Sequence, residues 1–225
     1  MTDKGKPKLS DLKPSRVTLV QCIIIIIILA IGLGAILFGA SGTFPSVVAV
    51  ESGSMEPNLN VGDLVFIVQK DRLGEIVTSN EAQERNETSF GGYGDIIVYN
   101  PNGNTHTTAI IHRVVGWINE TEARDNYGFP YDVNAGYITK GDNNKVEDQT
   151  LAFNGIGRVY PIKDEWIVGK AVISIPLLGY IPMYIWQIAV VILIILLVYE
   201  WFSRRADKIE KAEEEQRLRE EEKNK

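Results

Sequence analysis

Two long apolar runs dictate most of what this chain can become. Val17 to Phe38 reads VTLVQCIIIIIILAIGLGAILF, uncharged and with only Thr18 and Gln21 distinctly polar. Ile181 to Phe202 reads IPMYIWQIAVVILIILLVYEWF, uncharged up to Glu200, with Tyr184, Trp186, Tyr199 and Trp201 near its ends. About 20 apolar residues suffice for a helix to cross the hydrocarbon core, and aromatic rings favour the interface. The runs predict transmembrane helices over 17–39 and 180–202. A cleavable signal sequence ending around Ala40–Ser41 competes for the first run, which is longer than the roughly 7–15 residues of such a region.

The flanking cations set the expected orientation. Lys4, Lys6, Lys8, Lys13 and Arg16 precede the first run, and no basic residue follows until Lys70; Arg204, Arg205, Lys208, Lys211, Arg217 and Arg219 follow the second. Basic flanks stay in the cytoplasm. Residues 1–16 and 203–225 are therefore expected to be cytoplasmic tails, the second a charged helix, and 40–179 an extracytoplasmic domain. The net charge of −6 mixes both signs along the chain and argues against a nucleic-acid partner, which needs a basic footprint. Cys22 is the only cysteine, inside the first run, and His106 and His112 are the only histidines. That excludes internal disulfides and leaves few metal ligands, so chemistry without metal or cofactor is expected.

Between the runs, short stretches rich in Val, Ile, Tyr and Phe alternate with Gly, Asn, Asp and Pro, the pattern of a mainly β domain. Strands are predicted at Val47–Glu51, Asp63–Gln69, Asp95–Asn100, Ile110–Ile118, Tyr137–Lys140, Ile156–Pro161 and Trp166–Ile175. Two of them follow similar turns, Gly62-Asp63 and Gly94-Asp95. Asp71–Gly92 reads as an exposed excursion and Gly116–Gly136 as a second with more packing capacity. Asn86-Glu87-Thr88 and Asn119-Glu120-Thr121 are acceptor triplets for glycosylation.

Three places carry chemistry. Ser54 lies in Glu51-Ser52-Gly53-Ser54-Met55-Glu56-Pro57, where a strand must end before Pro57 and Gly53 allows close backbone approach. A serine hydroxyl is a poor nucleophile without a base within hydrogen-bond reach. His106 sits in a polar turn; His112 sits in a strand, on one face with Ile110 and Val114. A carboxylate best orients and stabilises a charged imidazole, and Asp142, Glu147 and Asp148 share one turn after the fifth predicted strand. Spacing does not choose among them.

Together these boxes resemble the type I signal peptidase family, over nearly the whole chain. After an apolar anchor come Ser52-Gly53-Ser54-Met55-Glu56-Pro57, Gly62-Asp63-Leu64-Val65, Gly94-Asp95-Ile96-Ile97-Val98, His112-Arg113-Val114-Val115-Gly116 and Thr139-Lys140-Gly141-Asp142-Asn143-Asn144, in the family's order. Histidine at 112, where the bacterial branch has a lysine base, is similar to the archaeal and endoplasmic-reticulum branch. The resemblance implies Ser54 as nucleophile, His112 as general base, Asp148 as triad acid and Asp142 as a supporting acid. It implies, across branches, that the Ser52 hydroxyl and the Ser54 N–H serve the oxyanion. Lys145 in a polar turn would stay charged and is not expected to be the base.

The implied protein is a multi-pass enzyme of the cell membrane that removes signal peptides from exported pre-proteins after Ala-x-Ala-like sites. Its partners are those pre-proteins, the lipid bilayer and further membrane subunits. Val47, Val48, Val50 and Met55 are expected near the substrate pockets. A protease of narrower target, and a β module that binds exported proteins without cutting them, are the competing readings.

Overall fold

The computed structural model describes residues 16–223; Lys4, Lys6, Lys8 and Lys13, on which the orientation of the first run partly rests, lie outside the described residues. The chain divides into two compact units, the first ending at Gly179. In the first, helix α1 (Arg16–Ser41) precedes β1 (Val47–Ala49) and β2 (Leu64–Val68). Helix α2 (Ser79–Arg85), β3 (Thr88–Ser89) and β4 (Gly92–Tyr93) follow, then β5 (Ile96–Tyr99) and β6 (Ile110–Ile118). Helix α3 (Glu120–Tyr127), β7 (Gly136–Lys140), β8 (Ala152–Phe153), β9 (Gly157–Arg158) and β10 (Ile167–Ile175) complete it.

Six strands form one antiparallel sheet in the order β1-β2-β10-β5-β6-β7. All four residues of β5 are buried. Side chains alternate across a strand, and here the alternation feeds two cores. Ile96 and Val98 pack with Val50, Met55, Leu59, Val65 and Ile67. Ile97 and Tyr99 pack with Val114, Val159 and Ile162. A strand covered on both faces reads as an unbroken apolar run, which is what Ile-Ile-Val-Tyr is. The two Gly-Asp turns behave alike: Gly62 and Gly94 have φ of 89° and 94°, a region costly for a Cβ. Each following aspartate accepts from a backbone N–H, Asp63 from Asn60 and Asp95 from Val77.

The stretch read as an exposed excursion, 71–92, is folded. Thr78 and Glu81 form a reciprocal capping box that starts α2, satisfying N–H groups the first helical turn leaves free. The hairpin β3–β4 is held by Arg113, which donates to the carbonyls of Ser89 and Phe90. Its polarity hid this, because the anchor is a buried cation elsewhere in the chain. The second excursion contains α3, capped by Asn119 and Glu122, over a small cluster of Ala123, Phe129 and Val133. The predicted strand 156–161 shrinks to β9; Val159 and Ile162 are instead buried in the core beneath β5 and β6.

Helix α1 exposes its isoleucines around its circumference, as at Ile24–Leu29, Ile31 and Ile36. The second unit consists of α4 (Tyr180–Met183) and α5 (Ile185–Lys223), a single helix running from the apolar segment into the charged tail. Both α1 and α5 are long and apolar enough to cross a membrane. A helix apolar on every face has no stable place in water.

Candidate active site

Ser54 sits in a single 3-10 turn, Gly53–Met55, directly after β1 and before β2. Two fully buried side chains, Met55 and Leu59, pin this segment to the core. Val50 and Met55 are therefore buried beneath the turn and, contrary to expectation, are not in the lining of the cleft that opens beside Ser54. From the other side the Gly141–Asn144 loop clasps it: the Asn143 N–H donates to the Ser54 carbonyl at 2.9 Å and Asn143 Nδ2 to the Gly53 carbonyl at 3.0 Å.

His112 lies mid-strand on β6, opposite Ile97 of β5, and is 4% exposed. Its Nε2 stands 2.9 Å from Ser54 Oγ and its Nδ1 stands 2.6 Å from Asp148 Oδ2. An ionised carboxylate only accepts, so Nδ1 carries the ring proton and Nε2 presents its lone pair to the serine hydroxyl. Asp148 opens a short 3-10 turn and is fully buried. Its Oδ2 also accepts from the Tyr99 hydroxyl at 2.9 Å and the Thr139 hydroxyl at 2.7 Å. Burial, with the Asp148 carboxylate beside it, pushes the Tyr99 phenol well above the usual tyrosine range, so it stays a neutral donor.

The remaining sequence candidates divide. Ser52 Oγ lies 3.3 Å from Ser54 Oγ, on the exposed side of the turn. Asp142 does not bond His112. Its two oxygens receive Nε and Nη2 of Arg113, each at 2.7 Å, and Asn58 Nδ2 at 2.8 Å. Arg113 is 5% exposed, and its other bonds reach the carbonyls of Ser89, Phe90 and Gly94. The pair thus joins the Gly141–Asn144 loop to the α2–β4 region. Glu147 accepts from the Tyr127 hydroxyl instead. His106 is exposed, and its backbone N–H donates to Asn104 Oδ1.

Beside the row opens a cleft of about 890 Å³. Ser52, Ser54 and His112 form part of its wall; Val48, Ala109, Ile111, Leu151, Phe153 and Ile156 supply apolar lining, and Glu51 and Lys145 supply charge. Of the apolar residues expected near the substrate only Val48 is there. The others come from the start of β6 and from the segment around β8 and β9, far along the chain. No local pattern marks them, since only tertiary packing brings them together.

A hydroxyl, an imidazole and a buried carboxylate in one hydrogen-bonded row, opening on a largely apolar cleft, can activate a serine for attack on a carbonyl. The fold carries this row on a β domain whose chain also holds two helices apolar enough for a membrane. No family model matches the chain. Among curated proteins it is similar to signal peptidase complex catalytic subunits. The SEC11 subunit of Eremothecium gossypii is 32% identical over 139 residues, 62% of this chain and 65% of that protein. The sec11 subunit of Aspergillus oryzae is 33% identical over 156 residues, 67% and 69% of the two chains. SEC11 of Saccharomyces cerevisiae is 30% identical over 146 residues, 65% and 69%. The matched part of this chain spans about two thirds of the length of these relatives. The chain belongs to the family of signal peptidase complex catalytic subunits.

Proposed function

We propose that this chain is a membrane-bound serine endopeptidase that removes signal peptides from exported pre-proteins, cleaving after small residues. The observation that carries this reading is the row Ser54–His112–Asp148 on the wall of an open apolar cleft. His112 Nε2 takes the Ser54 proton as the hydroxyl attacks the scissile carbonyl, and returns it to the leaving amine. Water, activated by the same nitrogen, then releases the acyl group from Ser54. Asp148 holds the tautomer and balances the imidazolium. The Ser54 N–H and the Ser52 hydroxyl face the developing oxyanion, where losing one donor typically costs about 100–1,000-fold in rate.

In this reading residues 40–179 form the catalytic domain outside the membrane, with helices over 17–39 and 180–202 spanning it and both termini in the cytoplasm. Such anchoring holds the cleft near the surface where signal peptides end. The relatives are named as subunits of a complex, which supports additional membrane subunits as partners here. A binding module without catalysis would have no use for a serine held 2.9 Å from a buried imidazole.

The direct test is the purified chain in liposomes, incubated with a pre-protein of known signal peptide, with the new N-terminus sequenced. Cleavage after the Ala-x-Ala-like site is expected, with a rate that falls on the acid side as the imidazole base protonates. An alkaline profile of the lysine type, or no cleavage with or without added membrane subunits, counts against the reading.

The clasp around Ser54 also constrains position 141. A Cβ on Gly141 would lie 2.6 Å from the Ser54 carbonyl oxygen and 2.9 Å from His112 Nε2. Neither can yield without parting the hydroxyl from the imidazole, and a misplacement of about 1 Å can cost about 100-fold. Gly141→Ala is therefore expected to fold, by circular dichroism, and to cleave at least about 100-fold more slowly. Near-wild-type kinetics would show that the loop absorbs the methyl elsewhere.

A further inference from the structure

Three donors from three neighbouring strands converge on one oxygen atom. Tyr99 on β5, His112 on β6 and Thr139 on β7 all bond Asp148 Oδ2, at 2.9, 2.6 and 2.7 Å. The Thr139 and Tyr99 oxygens also lie 3.1 Å apart. Oδ1 is equally buried, yet no donor among the described residues reaches it. The two carboxylate oxygens are chemically equivalent, so imidazole alone would not distinguish them. The two hydroxyls do.

We propose that Tyr99 and Thr139 are positioning residues for the cleavage reaction, fixing Asp148 Oδ2 against His112 Nδ1 and sharing the buried carboxylate charge. The inference rests on the Ser54–His112–Asp148 reading. A tyrosine buried among Ile97, Val114 and Val159 would serve packing as well if it were phenylalanine. A hydroxyl there carries a desolvation cost unless it is bonded, and the bond it makes is to the carboxylate. Thr139, fully buried, directs its hydroxyl to the same atom.

The consequence for pH has a definite sign. Hydrogen bonds to a carboxylate stabilise its charged form. With both hydroxyls removed, the charge on Asp148 is less well satisfied, and a proton on His112 relieves it more. Proton uptake by the pair is favoured, so the acid limb of the rate profile moves to higher pH. The other ionisable groups nearby do not offset this. Glu147 is bonded to Tyr127 and Asp142 to Arg113, Arg158 on β9 donates to the carbonyls of Gln149 and Tyr127 and keeps its charge throughout, Glu51 and Lys145 border the open cleft, and Lys140 is half-buried on β7.

The experiment compares wild type, Tyr99→Phe, Thr139→Val and the double variant, in detergent, by pre-protein cleavage against pH and by 15N NMR of labelled histidine. Only His106 and His112 occur in the chain, so the two rings are separable. The double variant is expected to lose about 10–100-fold in kcat, the value of hydrogen bonds to a charged group, with KM unchanged. The acid limb and the His112 titration should rise together by about one pH unit, and Thr139→Ser should restore the single-site loss. If the double variant does not fold, Tyr99→Phe, which keeps the ring, carries the comparison. A fall in kcat with both titrations unmoved would mean that the hydroxyls only pack, and the proposal is then wrong. Should Ser54→Ala cleave like wild type, the catalytic reading fails on its own, while the His112 titration still decides whether the hydroxyls govern the pair.

Discussion

Ser54→Ala is expected to leave the protein folded and to lower cleavage of a signal-peptide-bearing substrate by at least about 10⁴-fold, the scale at which removing a triad nucleophile is felt. The change deletes one oxygen from a turn whose packing is carried by Met55 and Leu59, both fully buried, so stability should hardly move. What disappears is the hydroxyl that stands 2.9 Å from His112 Nε2, the nucleophile of the proposed reaction. The residual rate reflects substrate binding and oxyanion donors alone. The measurement is a single-turnover assay on reconstituted protein, with thermal unfolding followed in parallel. Equal cleavage by wild type and variant would remove Ser54 from the mechanism and point to a contaminating protease.

Exchanging the carboxylate for an amide at 148 is the second large effect. Asp148→Asn is expected to reduce kcat by about 10⁴-fold. If the amide NH₂ faces His112, Nδ1 becomes the acceptor and Nε2 carries the proton, which is the wrong tautomer to receive one from Ser54. If the amide oxygen faces His112, the imidazolium formed during attack loses its counter-charge. Either way the base fails, although the volume of the side chain hardly changes. Asp142 provides the contrast. Asp142→Ala strands the Arg113 guanidinium, 6% exposed at the side chain, and breaking such a buried pair costs about 3–5 kcal/mol of stability. Its main signature is a lowered melting temperature, with activity per folded molecule less affected. A reversed pattern, with Asp148→Asn active and Asp142→Asn inactive, would exchange the roles of the two acids.

Local sequence does not distinguish these two acids. Asp142 and Asp148 share one polar turn, six positions apart, and nothing local separates them. In the folded protein one faces the Arg113 guanidinium and the other is buried behind His112. Neighbouring residues on β6 point to opposite faces of the sheet, so His112 and Arg113 select different carboxylates from the same loop.

Much else was legible from local chemistry. The two apolar helices follow from uninterrupted runs long enough to cross a membrane. Most β-sheet strands follow from β-branched runs bounded by turn residues, with Gly-Asp turns leading into β2 and β5, and β5 from four consecutive apolar residues. Ser54 and His112 are marked only weakly by local pattern, a serine in a Gly-containing turn and a histidine inside an apolar strand, and it is the resemblance to signal peptidases that pairs them. The helices α2 and α3 escaped notice, since short polar helices have weak periodicity and depend on capping boxes and on anchors such as Arg113. The cleft lining is not local either: Ala109, just before β6, and Ile111 on it line one cleft with Phe153 and Ile156 through tertiary packing that no spacing along the chain encodes. The Tyr99–Thr139–Asp148 network is of the same kind. Local sequence governs which segments bury apolar surface and with what period; which buried groups then meet depends on strand order and register, which long-range packing alone selects.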